Sequence, residues 1–280
     1  MKLVSFITAA CSLALALPAA AQEAAPLPAD MAPSVFDGDY LSVAGGVAYG
    51  PSYDGSDDYV VFPLPLLQGS LGGIAINPRP AGLALDFIPG TVNLGIAGRL
   101  RQNRASKIED PVVESLGELE SALEIGPSAG LSFGGVLNPY DSLTIGADAR
   151  WDVNGAHGGM VIDPSVSYFT PLSRGVAGSL SFGAEYGDED FYDYYYAVSP
   201  IGSSASGLAV FDPSGAGFTK AGVNLLLAFD LNGDLADGGL ALAVIGSYST
   251  MVGDAKESPI VSVRGSSDQF LGAVAIGYTF

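Results

Sequence analysis

The chain has 280 residues, of which 38 are Gly and only 15% are Asp, Glu, Lys or Arg, although 48% are hydrophobic. Its formal net charge of −19 argues against nucleic-acid binding, which requires a basic face. The hydrophobicity disfavours intrinsic disorder, and the abundance of Gly and Pro disfavours a helical bundle. The composition therefore indicates a β-rich protein with a large apolar surface and few charges.

The N-terminal residues are predicted to be a targeting segment and a linker. Lys2 precedes an apolar run that ends in Ala19-Ala20-Ala21, which is typical of a secretory signal peptide covering residues 1–21. Because Lys2 is lost on cleavage, the mature chain keeps 10 basic and 30 acidic residues, a formal charge of −20. Residues 22–38 are rich in Ala and Pro, which predicts a flexible periplasmic segment before a folded domain at 39–280.

Alternation of large apolar residues with small or polar ones predicts twelve β-strands. They are expected at 39–50, 58–69, 73–79, 82–88, 91–103, 121–133, 142–153, 159–170, 175–187, 217–230, 239–252 and 267–280. The third and fourth are short and interrupted by Pro, and merging them into their neighbours would give ten strands. The last strand resembles the C-terminal signal of outer-membrane barrels, carried here by Val274, Ile276, Tyr278 and Phe280.

Alternation alone would also fit a soluble β-sandwich. Three features favour a membrane-spanning sheet: segments of about 10 to 14 residues, Tyr and Trp near strand ends, and an aromatic final residue. An open sheet cannot cross lipid, so the strands must form a single closed antiparallel β-barrel. With periplasmic termini, the longer connections at 51–57, 104–120, 188–216 and 253–266 would lie outside the cell.

Charged residues recur on the strand face opposite the bulky apolar residues, so they are expected to line the lumen. A narrow barrel cannot bury them unpaired, which predicts mixed ion pairs. Such a network could hold the barrel shut or could act as a selectivity filter for small solutes. The predicted lumen residues are Arg99, Arg101, Glu124, Asp148, Arg150, Asp152, Asp163, Glu185, Lys220 and Asp230.

The loops offer few candidates for chemistry. The only histidine, His157, is interpreted as a loop residue, because no Ser or Asp motif accompanies it for catalysis and no partners for a metal site. The acidic runs 54–58 and 188–193 are expected to form a solvated outer rim that bridges to lipopolysaccharide through divalent ions, with a dedicated divalent-ion site as the alternative. The aromatic run 192–196 is expected at the membrane interface. The sequence thus predicts no catalytic residue, no metal site and no cofactor.

Three loop motifs contain Tyr53, Gly55, Ser56, Asp57, Asp58, Ser199, Pro200, Ser258 and Pro259. These motifs resemble those of the MipA/OmpV family of MltA-interacting proteins. The resemblance implies an outer-membrane barrel without enzymatic activity, surrounded by lipid and lipopolysaccharide. It also implies a scaffold role that joins a lytic transglycosylase to a murein synthase. Two other functions stay open: a small-solute channel or osmotic and antibiotic-response barrel, and an outer-membrane hydrolase that would use His157.

Overall fold

The computed structural model describes residues 34–104 and 108–280. The predicted signal peptide and residues 22–33 of the predicted flexible segment lie outside the described residues. The end of that segment forms a 3-10 turn at Val35–Asp37. Ser34 caps this turn, since its hydroxyl accepts from Phe36 N at 3.3 Å while its own amide donates to Asp37 at 2.9 Å. Residues 34–37 thus form a turn with its own capping hydrogen bonds, directly before the first strand.

Twelve antiparallel strands form a closed barrel, which confirms the predicted fold class and strand number. Neighbouring strands in sequence pair with each other, and the first and last strands close the barrel from Ser42 opposite Thr279 to Tyr49 opposite Gly272. The strands are β1 (Tyr40–Pro51), β2 (Tyr59–Leu71), β3 (Ile74–Arg79), β4 (Gly82–Ile88), β5 (Val92–Arg101), β6 (Ala122–Gly134), β7 (Ser142–Asp152), β8 (Met160–Ser173), β9 (Val176–Gly187), β10 (Gly217–Asp230), β11 (Gly239–Met251) and β12 (Asp268–Thr279).

The ten-strand alternative is wrong because β3 and β4 remain separate strands. Gly72 and Gly73 both adopt positive φ angles, 58° and 82°, which suits a tight two-residue hairpin turn between β2 and β3. β3 then pairs with β4 from Ala75 opposite Asp86 onward, despite the proline within β3. The short strands therefore form a complete hairpin of the wall.

The outward face of the barrel is apolar. Its exposed side chains include the C-terminal residues Val274, Ile276, Tyr278 and Phe280, which are 48%, 57%, 45% and 68% exposed. An apolar outward face suits a hydrocarbon environment, and the strand order closes on itself, so every strand has a neighbour on both sides. The molecule is therefore a transmembrane β-barrel.

The two ends of the barrel differ. One end, which we call the turn end, carries the short turns, the start of β1 and the last residues of β12. The other, which we call the loop end, carries the long connections. Within the described residues, these connections contain five short helices: α1 (Pro111–Glu114), α2 (Glu189–Tyr196), α3 (Pro200–Ser206), α4 (Gly253–Glu257) and α5 (Pro259–Ser262). We call the described residues 52–58, 108–121, 188–216 and 252–267 the plug.

No helix in 34–104 or 108–280 is long and apolar enough to span a membrane.

Candidate functional site

Inward-facing charges near the loop end form a continuous layer of ion pairs, which we call the ion-pair layer. Arg101 binds Glu124 through Nε and Glu185 through Nη2, the latter at 2.8 Å. Lys220 Nζ lies 2.8 Å from Asp54 Oδ2. Five basic and five acidic residues balance to zero formal charge: Arg79, Arg99, Arg101, Arg150 and Lys220 against Asp54, Glu124, Asp148, Asp163 and Glu185.

The ion-pair layer crosses the lumen instead of following one wall. Arg79 on β3 reaches Asp148 on β7, with 2.8 Å between Nε and Oδ2. Arg99 Nη1 on β5 lies 2.9 Å from Glu185 Oε2 on β9. At the centre of the layer Glu124 has no exposed surface. Because central charges such as Glu124 and Glu185 are desolvated, each depends on its partners, and the pairs together span the lumen at this level.

Eight of the ten predicted lumen charges belong to the ion-pair layer, and the other two do not. Asp152 instead accepts backbone hydrogen bonds from His157 and Gly158 at 2.8 and 2.9 Å. Asp230 accepts one from Gly233 at 2.7 Å. Both acids lie at strand ends, where the amides of the following turn are closer than any guanidinium in the described structure. The network prediction is therefore wrong for these two carboxylates, which cap turns.

Sequence reasoning missed two members of the layer. Arg79 follows Pro78 in a short strand whose alternation is hard to read, and no sequence signal places it opposite β7. Asp54 lies in an acidic run that was expected to be solvated, yet it reaches inward to the layer. Asp57 in the same run is exposed, as expected for an outer rim.

The plug has an aromatic core on one face of α2. Phe191, Tyr192, Tyr195 and Tyr196 are each at most 1% exposed and pack with residues of β8, β11 and the last loop. Their spacing is that of one helix face, and Asp188 begins the helix by accepting a hydrogen bond from Phe191 N at 3.1 Å. The expectation of a membrane-interface aromatic cluster is wrong, because the helix turns these rings inward.

The plug rests directly on the ion-pair layer. The guanidinium carbon of Arg101 lies 4.7 Å from the centre of the Phe191 ring, a cation–π contact. His157 packs edge-on against the same ring at 5.2 Å, and its Nε2 lies 3.4 Å from Glu124 Oε1. Its Nδ1 accepts a hydrogen bond from Gly159 N at 3.0 Å. His157 is thus a buried residue at the contact between plug and layer, not an ordinary exposed loop residue.

Two of the family-like motifs begin helices of the plug. Ser199 caps α3 by accepting from Gly202 N at 3.1 Å, and Pro200 occupies the first helical turn. Pro259 occupies the same place in α5, whereas the hydroxyl of the fully buried Ser258 donates to Tyr196 O at 2.7 Å. Ser258 therefore ties the last loop to the end of α2.

The third motif joins the first loop to the last. Ser56 and Gly265 form an isolated β-bridge, and Ser266 N donates to Gly55 O at 2.9 Å. A Cβ atom on Gly265 would lie 1.8 Å from Gly55 O, so only glycine allows this approach. Tyr53 beside them is buried in the second hydrophobic cluster of the plug. Tyr53, Gly55 and Ser56 are therefore buried inside the plug.

Within the described residues, no group of His, Cys and carboxylate side chains is arranged to hold a metal ion.

We expect the plug to loosen at alkaline pH before the barrel unfolds. Burial raises the pKa of Tyr53 and of Tyr192 to about 12. The neutral phenols therefore favour the folded plug below pH ~10, the ordinary tyrosine value, and this stabilisation is lost as the pH rises towards 12. Absorbance of phenolate should show a late-titrating class that is reduced in Tyr53→Phe and Tyr192→Phe. A single titration step near pH 10 for all tyrosines would contradict the buried plug.

The family described as "MltA-interacting protein MipA" matches residues 43–280. Among solved structures, an outer membrane channel of Pseudomonas putida F1 (COG4313) is similar with a TM-score of 0.44 and 13% identity, covering 91% of this chain and 99% of that one. The outer membrane channel DcaP of Acinetobacter baumannii is similar with a TM-score of 0.38 and 9% identity, covering 87% and 96%. No curated protein sequence matches the chain.

Proposed function

Because the chain belongs to the MipA family of MltA-interacting proteins, we propose that it is a non-enzymatic outer-membrane scaffold for murein enzymes. Its partners would be a lytic transglycosylase, as the family description suggests, and a murein synthase. In this proposal the loop end faces the outside and the turn end faces the periplasm, where both partners work. Lipid and lipopolysaccharide surround the apolar wall.

The observation that carries this proposal is the closure of the loop end. The ion-pair layer crosses the lumen, and the aromatic core of the plug covers it. A barrel closed by two successive layers is a poor diffusion pore but a rigid membrane anchor. Its contribution to function would then come from the surface at the turn end rather than from transport.

The turn between β6 and β7 offers a preformed contact at that end. Leu137 is 80% exposed at its tip, although Asp141 holds the turn rigid by accepting hydrogen bonds from Val136 N, Leu137 N and Asn138 N at 2.6 to 3.0 Å. An exposed aliphatic side chain on a fixed turn loses little conformational entropy when a partner covers it. This supports a protein contact at the turn end.

A gated channel for small solutes is the second candidate. It is favoured by the partial exposure of two charges of the ion-pair layer, since the side chains of Arg79 and Asp163 are 33% and 27% exposed. Such groups could exchange partners with a passing ion once the plug moved aside. The two candidates differ in whether the unmodified barrel conducts.

Co-purification with variants at opposite ends of the barrel tests the scaffold. We expect the full-length protein, solubilised from envelopes, to recover a lytic transglycosylase and a murein synthase. Leu137→Asp should lower that recovery at least several-fold, because it places a charge on the turn-end contact. Ile201→Asp is the matched control, since Ile201 is 84% exposed in α3 at the loop end.

Recovery of neither enzyme by the unmodified protein would reject the scaffold. Equal losses in both variants would reject the turn-end contact, and a loss confined to Ile201→Asp would reverse the assigned orientation.

A further inference from the structure

The lumen wall on the turn-end side of the ion-pair layer is divided into an apolar and a polar half. Lys220 shows which residues of β10 face the lumen. It belongs to the ion-pair layer, and every second residue further along the strand faces the same side as Lys220. Residues directly opposite on antiparallel strands also share a face, so the register can be followed from β10 through β11, β12 and β1 to β2.

Three successive rows across these five strands are almost free of polar side chains. They are Leu226, Ile245, Ala273, Ala48, Phe62; then Ala228, Ala243, Ala275, Gly46, Leu64; then Asp230, Ala241, Gly277, Ala44, Leu66. The exception, Asp230, directs its carboxylate to the amides of the following turn. We call this surface the apolar wall.

The opposite half of the lumen is lined by hydroxyl and amide side chains. Ser132 hydrogen-bonds Thr144 at 2.9 Å across β6 and β7, and Ser167 donates to Ser181 at 2.8 Å across β8 and β9. Asn93 on β5 donates to Ser132 at 2.7 Å. The side chains of this polar wall hydrogen-bond one another. A ligand in the lumen would therefore meet an apolar surface on one side and a polar surface on the other.

The apolar wall faces open space instead of filling the barrel. Phe62, Leu64 and Leu66 are only half-buried, as are Leu226 and Ile245. In the plug, by contrast, aromatic side chains pack against one another and are at most 1% exposed. Covering such exposed apolar surface with another apolar group lowers the free energy, because it removes that surface from water.

A cation lies on the strand next to the apolar wall. Arg79 faces the lumen from β3, and its side chain remains 33% exposed although Nε contacts Asp148. Asp148 also lies 3.5 Å from Arg150 and accepts a hydrogen bond from Ser128 at 2.7 Å. Because Asp148 has these other partners, and the nearby Asp86 accepts a hydrogen bond from an amide side chain of β3 at 2.7 Å, the Arg79 guanidinium can also bind an anionic group from the lumen.

We propose that this part of the lumen binds an amphiphile with an alkyl chain and an anionic head group. The chain lies along the apolar wall at Phe62, Leu64 and Leu226, and the head group lies on Arg79. The site opens towards the turn end, since the ion-pair layer closes the other side. It does not depend on the identity of any protein partner.

A tryptophan placed in the lumen tests the site directly. In the W151F/F62W variant the only tryptophan would lie on the apolar wall, and the probe is dodecanoate brominated on its last carbon, which quenches tryptophan on contact. We expect saturable quenching that excess unbrominated dodecanoate reverses. The unmodified chain is the control, because Trp151 is 46% exposed on the outward face and should be quenched only by unsaturable partitioning.

Further substitutions in that variant test the contacts of the alkyl chain and of the anionic head group separately. Leu64→Asn should weaken dodecanoate binding about tenfold, whereas Thr144→Asn on the polar wall should not. Arg79→Gln should weaken binding of dodecanoate but not of the brominated neutral alcohol of the same length. Heat-modifiable migration on a gel verifies that each variant is folded.

Unsaturable quenching of the lumen tryptophan would overturn the site. Equal effects of Leu64→Asn and Thr144→Asn would overturn the position of the chain. Equal binding of acid and alcohol by the unsubstituted reporter would overturn the anionic head group.

Discussion

Arg101→Ala should lower the free energy of unfolding by about 3–5 kcal/mol, the range for breaking a buried ion pair by removing one partner. Arg101 binds Glu124 and Glu185, and the three side chains are 2%, 0% and 3% exposed. Without the guanidinium, the two carboxylates lose a shared cation in a desolvated layer. Phe191 would also lose the cation beneath its ring. One substitution therefore weakens both the ion-pair layer and its contact with the plug.

Arg174→Ala is the matched control for this experiment. Arg174 pairs with Asp234 at 2.6 Å at the turn end, but its side chain is 65% exposed, so water screens the pair and its loss should change stability little. Urea unfolding in lipid vesicles, followed by circular dichroism, measures both variants. If Arg101→Ala loses no more stability than Arg174→Ala, the layer is not the buried network described.

The strands of the barrel wall were predictable because side chains along a strand alternate between lipid and lumen, which gives the sequence a period of two. Large apolar residues in alternation locate each strand and its lipid face, as Ile276 and Tyr278 show in β12. The same alternation predicted eight of the nine layer charges that lie within strands and missed only Arg79. It failed for Asp152 and Asp230, where the chain turns and backbone amides compete for the carboxylate.

The plug was not predictable in the same way, because its contacts join loops that are distant in sequence. The run Tyr192–Tyr196 has the same composition whether it lies in a membrane interface or in a protein core, and its contacts with β8, β11 and the last loop place it in the core. His157 is buried only because α2 folds over it. Asp54 becomes an inward charge only because Lys220 and Arg101 lie beneath its loop.

Phe191→Ala should detach the plug from the ion-pair layer. The ring is fully buried between Arg101, His157 and Tyr195, and large-to-small changes at such positions remove about 3–5 kcal/mol. The loss falls on the plug rather than on the strand ladder, so we expect faster protease cleavage within 188–216 while the barrel keeps its heat-modifiable migration.

The matched control is Phe182→Ala, which removes the same side chain from a lipid-facing position of β9 that is 56% exposed. It should leave the plug resistant to protease. Equal cleavage of the two variants would contradict the buried position of Phe191.

Conductance across a planar bilayer then separates the two candidate functions. The scaffold proposal expects a silent unmodified barrel and a silent Phe182→Ala variant, because the plug and the ion-pair layer both stay closed. Phe191→Ala should remain silent if the pairs of Arg101 with Glu124 and Glu185 seal the lumen without the plug. Steady conductance by the unmodified protein would reject the sealed barrel and favour the channel, and conductance in Phe191→Ala alone would make the plug a gate.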